Sequence, residues 1–162
     1  MKTCLVLVAS MMMVPFGVMA EAPVPSKEFR KTLNAASQQK KLAFLIVGRP
    51  SCGNCNATKK MIQEGKIPVT AEEFVMGDLN IDDSKTYGDF TRKYRKETFG
   101  NTLPLVVIAD STGKALATSS GYKKPEQWAA LIAEAKTSAA PKAGAGAAAG
   151  DPNWPFKTAP KR

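Results

Sequence analysis

Leu42-Ala43-Phe44-Leu45-Ile46-Val47 is six apolar residues without a break. A strand with one wet face alternates apolar and polar, so an unbroken run reads as a strand covered on both faces, the signature of a central parallel strand. Gly48-Arg49-Pro50-Ser51 then turns the chain, and Cys52-Gly53-Asn54-Cys55 opens a helix that reaches about Gly65. The strongest strand signal in the sequence therefore runs straight into a pair of cysteines at a helix start.

The remaining elements alternate around this one. Ser26 is placed to cap a first helix carrying Phe29, Leu33 and Ala36, which ends at Lys40-Lys41. Residues 74–81 read as a second strand weakened by Gly77, and residues 85–97 as a helix with Tyr87, Phe90 and Tyr94 on one face. Asp82-Asp83 reads as the cap of that helix rather than a metal site. Leu105-Val106-Val107-Ile108-Ala109 is a third strand, Asp110-Ser111-Thr112-Gly113 a hairpin turn, and residues 114–119 a fourth strand. Pro125 starts a last helix with Trp128, Leu131, Ile132 and Ala135 at helical spacing. Helix–strand alternation followed by a hairpin implies an α/β domain, with a mixed sheet of four (or five) strands and helices on both faces.

The chain has 162 residues, a net charge of +9 and no histidine. Histidine-dependent zinc, haem and triad chemistry is therefore excluded. Three cysteines cannot make a four-cysteine zinc site. Residues 1–20 open on the short basic start Met1-Lys2-Thr3, continue through an apolar stretch broken by Pro15 and Gly17, and end in Val18-Met19-Ala20. This reads as an export signal cleaved after Ala20, which removes Cys4 and leaves no membrane span. The expected location is periplasmic or secreted. Residues 137–162 are rich in Ala, Gly and Pro with a basic bias, and read as a disordered tail. The domain is expected over 26–136. The basic residues are scattered without an aromatic platform, so nucleic acid is not expected as a partner. The expected state is a monomer.

Exported proteins usually use cysteines as staples between distant segments. Cys52 and Cys55 close a loop of only two intervening residues, which removes little chain entropy, so a redox role explains them better. At a helix start the first sulfur faces unpaired N–H groups and the positive end of the dipole, which favours its thiolate. Cys52 is then the nucleophile. Cys55, one turn in, is the resolving thiol that attacks a mixed disulfide on Cys52. Arg49, three residues before Cys52, is a candidate for tuning the thiolate by charge, with a solvated loop as its alternative. Lys59 and Lys60 read as the wet face of the helix. Two other functions compete: a thiolate carrier of copper or zinc, which lacks further ligands, and a binding module that has kept the fold without turnover.

These residues resemble the thioredoxin superfamily over roughly Ser26 to Ala135. The resemblance rests on Cys52-Gly53-Asn54-Cys55, Leu79-Asn80-Ile81-Asp82, Leu103-Pro104, Thr112-Gly113-Lys114 and Gly121. It implies a thiol–disulfide oxidoreductase acting on protein or peptide disulfides. No cofactor is implied beyond the Cys52–Cys55 disulfide, and no metal. It also implies a cis Pro104 beside the thiols, Leu103 offering backbone hydrogen bonds to an extended substrate, and an upstream redox partner. The chain departs from the family pattern at Ser51, where a Trp is usual, and at Ile46, where a buried acid is usual. The inner pair is Gly53-Asn54 rather than Gly-Pro, and a first strand before the first helix is missing.

Overall fold

The computed structural model describes residues 21–139. The expected signal segment and nearly all of the expected tail lie outside them. In chain order the elements are α1 (Phe29–Gln39), β1 (Leu42–Gly48), α2 (Gly53–Gln63), β2 (Phe74–Asn80), α3 (Ser84–Lys93), β3 (Leu105–Ala109), β4 (Ala115–Ser120) and α4 (Pro125–Ala139). The strands form one four-stranded sheet in the order β2-β1-β3-β4. β1 pairs parallel with β2 and antiparallel with β3, and β4 returns antiparallel to β3.

The unbroken apolar run of β1 has the burial its sequence demands, with Ala43 to Val47 fully inaccessible. Alternate residues feed two separate cores. Phe44 and Ile46 join Met61, Ile62, Trp128 and Ile132 under α2 and α4. Leu45 and Val47 join Phe29, Leu33, Phe90 and Tyr94 under α1 and α3. Trp128 anchors the first core against Phe44, and Phe29 meets Phe90 and Tyr94 edge to face in the second. Removing an aromatic anchor of this kind costs about 3–5 kcal/mol.

Several local details differ from the sequence reading. Ser26 does not cap α1; Glu28 precedes the helix without a side-chain cap. Ser26 instead forms an isolated parallel bridge with Gly77 on the outer edge of β2. Gly77 does not weaken β2, which is continuous. A Cβ there would lie 2.9 Å from Leu45 Cδ2 and 3.1 Å from Thr32 Oγ1, so its absence is what lets α1 close on the sheet. α3 stops at Lys93 rather than residue 97. Asp83 does cap it, accepting from the Lys85 and Thr86 N–H groups. α4 continues to Ala139, past residue 136.

Candidate active site

Strand directions bring four distant segments to one end of the sheet. β1 and β2 run parallel, so Gly48 lies opposite Asn80 where both strands end. β3 runs the other way, so its start, Leu105, lies opposite Val47, and the end of β4, Ser120, lies opposite Leu105. The turn after β1, the turn after β2, the loop before β3 and the turn after β4 therefore lie at the same end of the sheet as the first turn of α2. Carboxyl ends of strands in open α/β sheets are where such sites form.

Cys52 is the N-cap of α2. Its Sγ accepts the Cys55 N–H at 3.2 Å, and its carbonyl accepts the Asn56 N–H. The sulfur thus occupies the position where a cap side chain meets the free N–H groups of the first turn. Cys52 and Cys55 are joined as a disulfide, with Cα atoms 5.3 Å apart. The two residues differ in access: Cys52 is half-buried, whereas Cys55 is 2% exposed. Gly53, between them, is exposed with open space around its Cα.

Gly48 makes room for the inner sulfur, because a Cβ built on it would collide with Cys55 Sγ. The sequence reading saw only a turn residue there. The Leu103–Pro104 peptide is cis. Pro104 is buried and Leu103 partly so. The Asn54 side-chain amide donates to the Leu103 carbonyl at 3.4 Å, which ties the cysteine loop to the loop before β3. Gly121, at φ +74°, donates its N–H to the carbonyls of Thr102 and Pro104 at 2.8 and 2.9 Å, fixing that loop from the β4 side.

The charged groups around the site are paired. Arg49 Nε donates to Asp82 Oδ1 at 3.1 Å with both side chains 54% exposed, so its charge is shared with an acid in solvent. Lys59 does not lie on a wet face: its ammonium meets Asp78 Oδ2 at 3.0 Å, with side chains 22% and 27% exposed. Lys60 is the exposed lysine, at 75%. Sequence reasoning missed Asp78, although an acid inside an otherwise apolar strand segment was a visible signal. Among the described residues no cluster of three or more His, Cys, Asp or Glu could hold a metal ion, and no helix is long and apolar enough to cross a membrane.

A thioredoxin-like domain model matches residues 29–136, and the chain belongs to that family. No curated protein matches it. Among solved structures, a disulphide isomerase from Xylella fastidiosa aligns at 20% identity and TM-score 0.45, over 78% of this chain and 88% of that one. A thioredoxin variant from Halobacterium salinarum aligns at 13% identity and TM-score 0.51, over 72% and 93%. A thioredoxin-like protein from Clostridium perfringens aligns at 13% and 0.52, over 75% and 90%. The family match together with a cysteine pair at bonding distance supports thiol–disulfide oxidoreduction as the general activity.

Proposed function

We propose that the protein exchanges its Cys52–Cys55 couple with disulfides of proteins or extended peptides, Cys52 attacking and Cys55 resolving. The observation that carries this reading is the unequal access of the two sulfurs. A visiting disulfide reaches Cys52 at the helix start, and Cys55 is 2% exposed, sheltered beside its mate. In the reductive direction the Cys52 thiolate attacks a substrate sulfur and forms a mixed disulfide. Cys55 then attacks Cys52 Sγ, the second substrate thiol leaves, and the couple is oxidised. The Asn54–Leu103 hydrogen bond brings the loop before β3 beside the cysteine loop, which supports Leu103 and Pro104 as the docking edge, with a strand-like peptide laid along it as the proposed binding mode. The leader-like first twenty residues support a periplasmic or extracellular workplace, where an upstream thiol or disulfide partner recharges the pair.

Insulin reduction fuelled by a dithiol tests the assignment. Cys52→Ser is expected to abolish it, and Cys55→Ser to accumulate a mixed disulfide with substrate that mass spectrometry detects. Full activity in Cys52→Ser overturns the reading. Equilibration with glutathione then fixes the direction of electron flow, since potentials on related scaffolds span about 150 mV.

A further inference from the structure

A thiol as deeply buried as Cys55 has a difficulty that its partner lacks. It must shed its proton before it can attack, and at 2% exposure it has almost no direct contact with bulk water. The β1 position where the family resemblance implies a buried acid holds Ile46. The residue directly across the sheet from Ile46 is Asp78. Paired residues of parallel strands point to the same face, so Asp78 lies on the face that α2 covers. Gly48, against which Cys55 Sγ rests, is two residues along β1 from Ile46 and on that same face. That offset is about 7 Å along the strand and about 5 Å across it, a span that one or two waters bridge. Lys59, four residues after Cys55 on the same side of α2, holds the carboxylate at 3.0 Å.

We infer that Asp78, held in place by Lys59, accepts the Cys55 proton through intervening water when Cys55 releases substrate. The proposal rests on the exchange reading above and adds the group that handles its proton. The S–H proton of Cys55 passes to the Asp78 carboxylate. The Cys55 sulfur forms a bond to Cys52 Sγ as the Cys52–substrate bond breaks, and the electron pair leaves with the substrate sulfur, which takes a proton from solvent. The substrate disulfide is the oxidant and the Cys52–Cys55 dithiol the reductant. Asp78, 27% exposed, returns its proton to bulk water. The groups the structure brings to Asp78 are Lys59 from α2, apolar Ile46 from β1 and, on the outer edge, the Ser26 carbonyl, which accepts the Asp78 N–H at 2.8 Å.

Two measurements test this. The first is insulin turnover of Asp78→Asn and Asp78→Glu across pH. The second is the titration midpoint of Cys55, read from thiolate ultraviolet absorbance in a Cys52→Ala background carrying Asp78→Asn or Lys59→Met. Asp78→Asn is expected to slow neutral-pH turnover by about tenfold or more, with Asp78→Glu retaining most of the rate. It is also expected to lower the Cys55 midpoint, because a negative neighbour is gone, while Lys59→Met raises it by leaving that negative charge uncompensated. A slower enzyme with a more readily ionised thiol, and opposite shifts from the two partners, are not what a merely structural pair produces. Unchanged turnover in Asp78→Asn, or a Cys55 midpoint unmoved by both changes, overturns the inference. If the unmodified protein exchanges no disulfide at all, the functional reading fails separately, and the thiol titration still reports whether Asp78 faces Cys55.

Discussion

Outside the cysteine motif, Gly48 is the residue that leaves room for the inner sulfur. It ends β1 where the buried sulfur needs the space a side chain would fill. Gly48→Ala leaves a strand-compatible backbone, so its cost is steric rather than conformational. Overpacking of this kind costs about 1–3 kcal/mol. The loss is expected to be larger in the oxidised protein, where the disulfide holds Cys55 Sγ in place, than in the reduced protein, where the side chain can rotate away. Urea denaturation of both forms checks this. By linkage, the same substitution makes the couple easier to reduce. Equal stability of the glycine and alanine proteins in both redox states means that the sulfur does not depend on this gap. Asp78 and Lys59 show the complementary lesson. Lys59 read as part of a wet helix face and Asp78 drew no reading, and only the β1–β2 register and the turn of α2 bring them together.

Helices on the far side of the sheet from the site are held to each other by a different device. Arg30 of α1 grips Asp89 of α3 with two hydrogen bonds, at 2.6 and 2.8 Å, and Arg92 adds a third at 3.3 Å. The Arg30 hydrogen bond holds the Asp89 carboxyl below the usual carboxylate range. Hydrogen bonds from Thr86 do the same for Asp83 at the start of α3. Both folded-state values lie below the unfolded ones, so the contribution to stability is present above about pH 4 and is lost as pH falls through the depressed values. Asp89→Asn is therefore expected to lower the urea midpoint at neutral pH and to converge with the unmodified protein in acid. A constant gap down to the acid limit contradicts the assignment. At this scale the sequence was most legible where burial follows a simple period. β3 and the start of α4 fall where the apolar runs and Pro125 place them. It was least legible where an element's end depends on a contact elsewhere: α3 stops at Lys93 although apolar spacing continues through Tyr94, and Gly77 reads as a flaw until Thr32 and Leu45 are seen against it.

The molecule as a whole builds two cores on the two faces of one strand, and neither core needs the disulfide to close it. β1 is fully buried by packing, α2 and α4 cover one side, and α1 and α3 cover the other. The Cys52–Cys55 bridge spans a sequence separation of three, at the edge of this arrangement. Loop-closure entropy for so short a ring comes to about 2 kcal/mol, less than half of the roughly 4.7 kcal/mol that closing a 100-residue loop supplies. A couple that must cycle has reason to be built this way, because both oxidation states have to keep the same fold. Reduction is therefore expected to leave a cooperatively folded domain, with an unfolding free energy lower by about 2 kcal/mol. Urea curves recorded with and without a dithiol, followed by near-ultraviolet circular dichroism of Trp128 and its aromatic neighbours, check both parts. A reduced protein that has lost that signal, or that unfolds without a cooperative transition, makes the bridge a structural staple. In that case the unequal access of the two sulfurs no longer argues for exchange chemistry. A reduced protein as well packed as the oxidised one leaves the sulfur pair free to serve as a reversible two-electron store at the end of a rigid strand.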